Sequence, residues 1–363
     1  MNYFVAFVIA FGLSLTLTWL ARNAGARFGI VRRPRKRDVH IIPVPRVGGV
    51  AIFLSFLITS LIAYLYLTEA RFGNGNWLTL DKHLVGIWFG ATIIVLSMLI
   101  DDIRGLRAWQ KLSFQILAAL MVIASGVGID LLSNPFGNPI NLNTVYIPIL
   151  TYHGITYHFS LISDLLTLIW LVGMMNVINF VDGVDGLAGG IAGISALTIF
   201  FLSISLGVNQ PATAMLSIIV AGVAAGFLVW NFPPAKIFMG DSGSMFLGYI
   251  LAILAIISGG KLATAFLVLG FPILDGVLVA GGRILRHKNP FTTPDKTHLH
   301  HRFLSAGFSA RQSIVFLYLI SAGFGYAALE LKTLDKVIFA FVLLVALVVL
   351  IKFLNIRTKK ISL

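Results

Sequence analysis

The chain has 363 residues, of which 58% are hydrophobic and 11% charged, and its formal net charge is +13. This balance excludes an ordinary soluble domain and predicts an all-α polytopic membrane protein. The sequence contains no cysteine, which excludes disulfide bonds and thiol chemistry.

Apolar runs long enough to cross a bilayer predict about eleven transmembrane helices. An odd number of spans places the two termini on opposite sides of the membrane. We expect one integral membrane domain over residues 1–363. In chain order the runs lie near residues 3–20, 48–67, 84–100, 112–132, 165–180, 187–206, 212–229, 245–258, 262–280, 313–329 and 337–354.

Lysine and arginine are concentrated in the first loop, in alternate later loops and in the C-terminal tail, whereas the long loop 133–164 has none. Because cytoplasmic loops retain basic residues, this distribution predicts an N-terminus outside and a C-terminus in the cytoplasm. Topology and attraction to anionic membrane lipids then explain most of the basic residues, and nucleic acid is not an expected partner. A more specific interpretation is that some of these basic residues bind an anionic substrate.

The first polar cluster ends one predicted span and begins the next, in the stretch I-D-D-I-R-G-L-R-A-W-Q-K-L-S-F-Q from Ile100 to Gln115. Asp101 and Asp102 are adjacent carboxylates, which suit a site that holds a cation or moves a proton. Lys111 follows at the start of the next span. The alternative is a solvated helix end neutralised by nearby arginines.

The second cluster is N-V-I-N-F-V-D-G-V-D-G-L-A-G-G, which follows an apolar run. Asn176, Asn179 and Asp182 are three residues apart and therefore line one face of a continuing helix. Asp185 follows a glycine that allows a tight turn. Amide and carboxylate oxygens suit a hard cation such as Mg²⁺. A polar seam that only joins helices is the alternative.

The third cluster is N-F-P-P-A-K-I-F-M-G-D-S-G-S, from Asn231 to Ser244. Asp241 heads a predicted span, and backbone N–H groups at the start of a helix can bind phosphate oxygens. A metal on Asp241 could bridge to such oxygens. The alternative is that Asp241 only caps the helix that begins at Ser242.

The fourth cluster is N-P-F-T-T-P-D-K-T-H-L-H-H-R-F, in the last large loop. It contains His298, His300, His301 and Arg302. A zinc site is disfavoured, because the chain has no cysteine and H-L-H-H lacks the H-E-x-x-H spacing. The cluster favours a histidine and arginine clamp on a diphosphate.

Five motifs in this order resemble the polyprenyl-phosphate N-acetylhexosamine-1-phosphate transferase family, which is related to the phospho-N-acetylmuramoyl-pentapeptide translocases. In one departure, Arg32 and Arg33 stand before Pro34 where the family often has an aspartate, so we assign this loop no fixed catalytic role. The motifs are R-K-R-D-V-H-I-I-P-V-P-R-V-G-G, D-D with K-L-x-x-Q, N-x-x-N-F-x-D-G-x-D-G-L-A, P-A-K-I-F-M-G-D-S-G-S and P-D-K-T-H-L-H-H-R.

The resemblance implies that a lipid monophosphate attacks the β-phosphorus of a UDP-sugar and that UMP leaves. It implies UDP-N-acetylglucosamine and undecaprenyl phosphate as substrates, with UDP-MurNAc-pentapeptide or another UDP-N-acetylhexosamine as the alternative donor. Mg²⁺ is the expected cofactor, with Mn²⁺ as a substitute. The expected location is the cytoplasmic membrane. A homodimer is one possible oligomeric state. The active site is expected in the cytoplasmic loops 21–47, 101–111, 176–190, 231–244 and 282–312.

Roles carried over from the family motifs make Asn179 and Asp241 the metal ligands. Asp101 is the candidate base, although it could only orient a lipid phosphate that is already largely dianionic at neutral pH. Asp102 and Lys111 are expected to position that phosphate. The expected substrate-binding residues are Asn176, Asp182, Asp185, Asn231, Phe238, His298, His300, His301 and Arg302.

Two other classes of protein place carboxylates in or near membranes. An ion-coupled transporter should show inverted repeats and polar groups near the membrane midplane, whereas these clusters gather at one predicted face. An intramembrane aspartyl protease could use M-G-D with a second aspartate but needs neither the asparagine array nor the histidines.

Overall fold

In the computed structural model, the described residues are 2–32, 43–72, 76–77, 80–132, 134, 137–152, 155–258, 262–285, 287, 298–331 and 333–361. Most of the first-loop motif and the P-D-K-T part of the last motif lie outside these residues, as do Arg33 and Pro34. All other predicted site residues lie within them.

Thirteen α-helices are described, and they confirm the all-α membrane class. The helices are α1 (Asn2–Arg27), α2 (Gly48–Tyr66), α3 (Lys82–Arg104), α4 (Ala108–Ala124), α5 (Leu161–Val181), α6 (Leu187–Ile204), α7 (Pro211–Asn231), α8 (Gly240–Ile257), α9 (Leu262–Val268), α10 (Gly270–Ile284), α11 (Leu299–Ser305), α12 (Ala310–Glu330) and α13 (Thr333–Ile361).

Every predicted span overlaps a described helix, although the predicted span 112–132 continues past the end of α4 at Ala124 as far as the short strand Leu131–Leu132. Within the described ranges, nine helices are long and apolar enough to cross a membrane, and α4 is shorter at 17 residues. The predicted span 262–280 is divided into α9 and α10. Pro272 has no N–H to donate to the carbonyl of Val268, which explains why the first helix ends there. The total of eleven spans therefore stays a prediction.

The described strands form four antiparallel pairs outside the helices. The pair β1–β2 joins the two ends of the first loop, and the hairpin β7–β8 lies in the long loop 133–164. The strands are β1 (Val31–Arg32), β2 (Val44–Pro45), β3 (Asn76–Trp77), β4 (Leu80–Asp81), β5 (Leu131–Leu132), β6 (Ile140–Asn141), β7 (Tyr146–Tyr152) and β8 (Ile155–Ser160).

Helix α8 lies at the centre of the bundle and packs against α2, α3, α5 and α6. In the most apolar segment of α8, 83% of the residues are buried, whereas in that of the peripheral α13 only 11% are buried. Small residues permit the close approach of its neighbours, because a side chain on Gly49 would collide with the backbone of Gly243. The first turns of α2 and α8 are therefore in direct contact.

Candidate active site

The first and third predicted clusters meet where α3 ends and α8 begins. Carboxylate oxygens of Asp101, Asp102 and Asp241 all lie within 4.8 Å of one another. Two of these residues come from the last turn of α3, and the third comes from the first turn of α8. The sequence placed all three at the same predicted membrane face, and the fold brings them together.

Asp102 holds the first turn of α8 from a neighbouring helix. Its carboxylate accepts the backbone N–H groups of Asp241 at 2.9 Å and Ser242 at 3.1 Å, and the Ser242 hydroxyl at 2.7 Å. Gly240 is the first residue of this turn and has a φ of +72°, and a side chain there would collide with the Asp102 carboxylate. Asp102 therefore acts as a helix cap supplied from another element.

Two cationic side chains cross-link the three carboxylates. Arg46 contacts Asp241 at 2.6 Å through Nη2 and Asp102 at 3.2 Å through Nε. Lys111 Nζ lies 2.7 Å from an oxygen of Asp101 and 2.7 Å from the second oxygen of Asp241. Both oxygens of Asp241 thus contact a cation, and the five groups have a formal net charge of one negative unit when all are ionised.

Arg46 was not among the predicted site residues. Burial alone would lower the pKa of its guanidinium, but the carboxylates of Asp102 and Asp241 raise that pKa above its usual value. The residue lies between β2 and α2, and the backbone N–H of Phe238 donates to the carbonyl of the preceding Pro45 at 2.8 Å. Its position in the motif V-P-R-V-G-G was the signal that could have identified it.

The two asparagines of the second cluster lie on α5 and face the bundle. Asn179 Nδ2 donates to the Ser244 hydroxyl of α8 at 2.8 Å. Asn176 Nδ2 donates to the side-chain oxygen of Gln115 at 2.9 Å. The structure therefore brings Asn179 to the turn of α8 that begins with Asp241, while shared ligation of one metal by these two residues stays a prediction.

The turn after α5 is bonded to the loop before α8. The buried Asn231 accepts the N–H of Gly186 at 2.9 Å and donates to the carbonyl of Ile237 at 2.8 Å. Asp185 accepts the N–H of Ala235 at 2.9 Å. Both side chains thus hold two loops together, whereas the predicted contact of each with substrate stays a prediction.

Asp182 caps the end of α5 in the same turn and keeps partial access to solvent. Burial by the surrounding chain raises the pKa of its carboxyl, and the carboxylate of Asp241 raises it further. Arg46 opposes this shift. The electrostatic coupling links the second predicted cluster to the group around Asp241.

The predicted histidine cluster forms the start of the short helix α11. His298 Nδ1 lies 2.8 Å from Oδ2 of Asp275, and the N–H of Leu299 donates to Oδ1 of the same carboxylate at 2.9 Å. The ring of His300 is 3% exposed and lies against Gly183 in the turn after α5. Asp275 was missed because it lies inside an apolar run that predicts a membrane span.

The four residues of the predicted diphosphate clamp have different environments. Burial lowers the pKa of His300 to about 3, so this ring is neutral at physiological pH. His301 is half-buried, with its ring centre 4.3 Å from that of His300. Arg302 donates from Nη1 to the side-chain oxygen of Asn355 in α13 at 2.7 Å. Any cationic contact with a diphosphate must therefore come from residues other than His300.

Phe238, the predicted platform for the base, lies in the loop before α8 and is half-buried. The guanidinium carbon of Arg32 lies 6.0 Å from the centre of its ring. The backbone carbonyl of Phe238 accepts the N–H of Gly48 at 3.0 Å, which fixes the residue beside the start of α2. Its ring therefore lies next to the loop that carries Arg46.

The donor set around Asp241 has the chemistry that Mg²⁺ prefers, namely carboxylate oxygens with an amide nearby. In this structure Arg46 and Lys111 contact the oxygens of Asp241 that a metal would use. The residues present therefore fit a hard divalent cation, provided that at least one of the two cationic groups moves away from Asp241.

Comparisons with known proteins show the family of the chain. Residues 84–259 match the model of the family described as glycosyl transferase family 4. A probable undecaprenyl-phosphate N-acetylglucosaminyl 1-phosphate transferase of Bacillus subtilis is 34% identical over 337 residues, which are 91% of this chain and 85% of the relative.

Two further relatives carry names for related transfers. A decaprenyl-phosphate N-acetylglucosaminephosphotransferase of Mycobacterium tuberculosis is 33% identical over 82% of this chain and 74% of its own length. A phospho-N-acetylmuramoyl-pentapeptide-transferase of Clostridium botulinum is 28% identical over 77% of this chain and 81% of its own length. The similarity therefore extends well beyond the segment that the family model matches.

Proposed function

The chain belongs to the polyprenyl-phosphate N-acetylhexosamine-1-phosphate transferases of glycosyl transferase family 4, and on that premise we propose the reaction that it catalyses. It transfers N-acetylglucosamine-1-phosphate from UDP-N-acetylglucosamine to undecaprenyl phosphate and releases UMP. The product is a lipid diphosphate sugar that begins the synthesis of a cell-envelope polysaccharide.

The observation that carries this proposal is the group of Arg46 and Lys111 around three carboxylates at one end of the bundle. A lipid phosphate and a sugar diphosphate repel each other, so a site that joins them needs positive charge in a partly dry setting. Arginine provides a planar pair of donors for phosphate oxygens, and lysine provides a mobile point charge. Arg46 and Lys111 both contact Asp241.

The reaction breaks the bond between the β-phosphorus and the oxygen that leaves with UMP, and it forms a bond from a lipid phosphate oxygen to that phosphorus. Lys111 binds the lipid phosphate, and Asp101, 2.7 Å from Lys111, orients it. A monophosphate with its second pKa near 6 is largely dianionic at neutral pH. Asp101 therefore aligns the attacking oxygen more than it removes a proton, and Asp102 keeps Asp241 in place.

Asp241 and Asn179 would hold a Mg²⁺ ion, for which Mn²⁺ is a substitute. When bound, such an ion would supply positive charge to the diphosphate oxygens. Arg46 and Lys111, which contact both oxygens of Asp241, are the cationic groups that bind the phosphate groups of the two substrates. The same side chains thus balance the carboxylates before substrates bind and balance the phosphates afterwards.

The nucleoside end of the donor lies beside Phe238, whose ring offers a surface for uracil. Asp182 and Asp185 in the turn after α5 shape this end together with Asn231, the last residue of α7. Asn176 supports it from α5. The histidine segment, residues 298–302, contributes His301 and Arg302 to the binding of the diphosphate.

The active site faces the cytoplasm, where UDP-sugars are made, in a protein of the cytoplasmic membrane. The distribution of basic residues supports this orientation. N-acetylglucosamine is the preferred sugar, because the Bacillus subtilis and Mycobacterium tuberculosis relatives named for that transfer are 34% and 33% identical, against 28% for the pentapeptide enzyme.

A panel of UDP-sugars tests the proposal. Purified chain in detergent is given undecaprenyl phosphate, Mg²⁺ and one of UDP-N-acetylglucosamine, UDP-N-acetylgalactosamine or UDP-MurNAc-pentapeptide, and the lipid product is identified by its mass. We expect a lipid diphosphate N-acetylglucosamine. Product with the pentapeptide donor alone would contradict the choice of sugar, and no lipid product from any donor would contradict the function.

A further inference from the structure

Asp275 is a buried carboxylate in the middle of α10, a helix that the apolar pattern assigns to a membrane span. A buried carboxylate is costly unless hydrogen-bond donors or cations surround it. No step of the proposed reaction uses Asp275.

Both oxygens of Asp275 bind the beginning of the histidine segment. Oδ2 lies 2.8 Å from Nδ1 of His298, and Oδ1 accepts the N–H of Leu299 at 2.9 Å. A carboxylate is an acceptor, so Nδ1 of His298 carries the hydrogen of this bond. The helix α11 begins at Leu299, and a carboxylate from a different helix therefore fixes its first residue.

A continuous row of contacts leads from Asp275 to the turn after α5. The ring of His298 lies parallel to that of His300, with an interplanar angle of 10° and ring centres 5.6 Å apart. The ring of His300 in turn lies against Gly183, where no Cβ would fit. Gly183 directly follows Asp182, whose carboxyl is electrostatically coupled to Asp241.

His300 gives a second reason to regard this row as functional. Its Nε2 is buried and has no hydrogen-bond partner among the residues that the structure describes. A buried nitrogen without a partner is costly and usually marks a strained or functional site. The ring is held there by its neighbours, so its position depends on the anchor of α11.

We infer that Asp275 is a positioning residue for the UDP-sugar site. Through His298 and the first N–H of α11 it holds that helix against the turn at Gly183, and it thereby presents His301 and Arg302 to the diphosphate. The inference rests on the proposed function. It predicts that loss of the carboxylate weakens use of the nucleotide sugar and spares use of the lipid phosphate, which Lys111 binds elsewhere.

The variant Asp275→Asn separates the two bonds of the carboxylate. Its amide oxygen can still accept the N–H of Leu299, whereas the charge that faces His298 is lost. In the full-length protein we expect the KM for UDP-N-acetylglucosamine to rise about tenfold, as for the loss of one charge-assisted hydrogen bond. The KM for undecaprenyl phosphate should stay within about twofold. Asp275→Ala should raise the first KM further.

The matched control is Asp164→Asn in the first turn of α5, at the end of this helix that lies away from Asp182 and Gly183. Asp164 also accepts a backbone N–H near the start of a helix, from Ser160 at 2.7 Å. It contacts no residue of the proposed site among those described. We expect this variant to keep both KM values, and melting temperatures of all variants in detergent show whether each is folded.

The variant His298→Ala tests whether Asp275 acts through His298. The double variant Asp275→Asn with His298→Ala should then be no worse than the more impaired single variant. If the double variant raised the KM for UDP-N-acetylglucosamine by the product of the two single effects, the positioning role would be wrong. It would also be wrong if Asp275→Asn kept the wild-type KM for the nucleotide sugar. A wild-type protein that releases no UMP would overturn the proposed function itself, which is a separate outcome.

Discussion

The balance of charge around Asp241 is the central feature at the scale of single residues. Three carboxylates and two cations lie in contact at the end of α3 and the start of α8. Each oxygen of Asp241 is bound to a different cation, so any change at this residue alters both the metal site and the positions of Arg46 and Lys111. Of the two cations, only Lys111 contacts Asp101 in the part of the chain that the structure describes.

Asp241→Asn should abolish turnover and weaken Mg²⁺ binding, because an amide offers the metal no negative charge. Asp101→Asn is the matched variant from the same carboxylate group, and it should lose turnover while keeping affinity for Mg²⁺ and the UDP-sugar. Titration calorimetry with Mg²⁺ measures the first difference. Wild-type Mg²⁺ affinity in the Asp241 variant would show that the metal is bound elsewhere.

His300 should make the stability of the protein depend on pH. Burial lowers the pKa of its ring to about 3, against 6.5 for the unperturbed group. As the pH falls below about 6.5, the unfolded chain takes up a proton that the folded chain refuses, so stability is lost in that direction. Melting temperatures measured from about pH 7.5 to pH 5 should fall less in His300→Asn than in wild type. Identical slopes would exclude a buried, neutral His300.

At the scale of elements, the start of α8 is fixed by its neighbours. Asp102 of α3 binds the first N–H groups of α8, and Gly49 of α2 lies against Gly243. The loop before α8 is bonded to the first loop through Phe238. The site is therefore built from helix ends, and its geometry depends on close packing between them.

Gly240→Ala tests that dependence. The residue has a φ of +72°, which costs an alanine about 1–2 kcal/mol, and its added Cβ would collide with Asp102. We expect a lower melting temperature together with a large loss of turnover. Gly281→Ala in α10 is the control, because a Cβ there meets no atom within 4 Å. Equal behaviour of the two variants would contradict the proposed packing at α8.

At the scale of the whole molecule, the sequence predicted the helices better than their connections. Apolar length alone located each of the nine described helices that are long and apolar enough to cross a membrane, since hydropathy reports burial in lipid or protein equally. It did not locate the break at Val268, where a single Pro272 divides a continuous apolar run, or the hairpin β7–β8, whose pairing depends on contacts between strands. The motifs identified Asp101, Asp102 and Asp241, the three carboxylates that the fold brings together, but they did not identify Asp275.

The remaining site residues show what local patterns omit. Asp275 sits among apolar neighbours, and only the folded structure reveals that it binds His298. Arg46 lies among many basic residues of the first loop, so charge alone did not distinguish it. Its role follows from its contact with Asp241, a residue distant in the chain.

The orientation of the molecule is tested by thiol labelling, which the cysteine-free sequence makes direct. Thr144→Cys lies in the long loop without basic residues, and Ala108→Cys lies near the carboxylate group. In intact cells a membrane-impermeant maleimide should label the first and not the second, because the site is predicted to face the cytoplasm. If only Ala108→Cys were labelled, the predicted orientation would be wrong and the site would face the outside.

The identity of the released nucleotide tests the central claim most directly, because it reports which bond breaks. Purified protein with Mg²⁺, undecaprenyl phosphate and UDP-N-acetylglucosamine should release UMP in an amount equal to the lipid diphosphate sugar formed, as attack on the β-phosphorus requires. Chromatography of the nucleotides provides the measurement. Release of UDP would place the attack on the sugar carbon and would contradict the account.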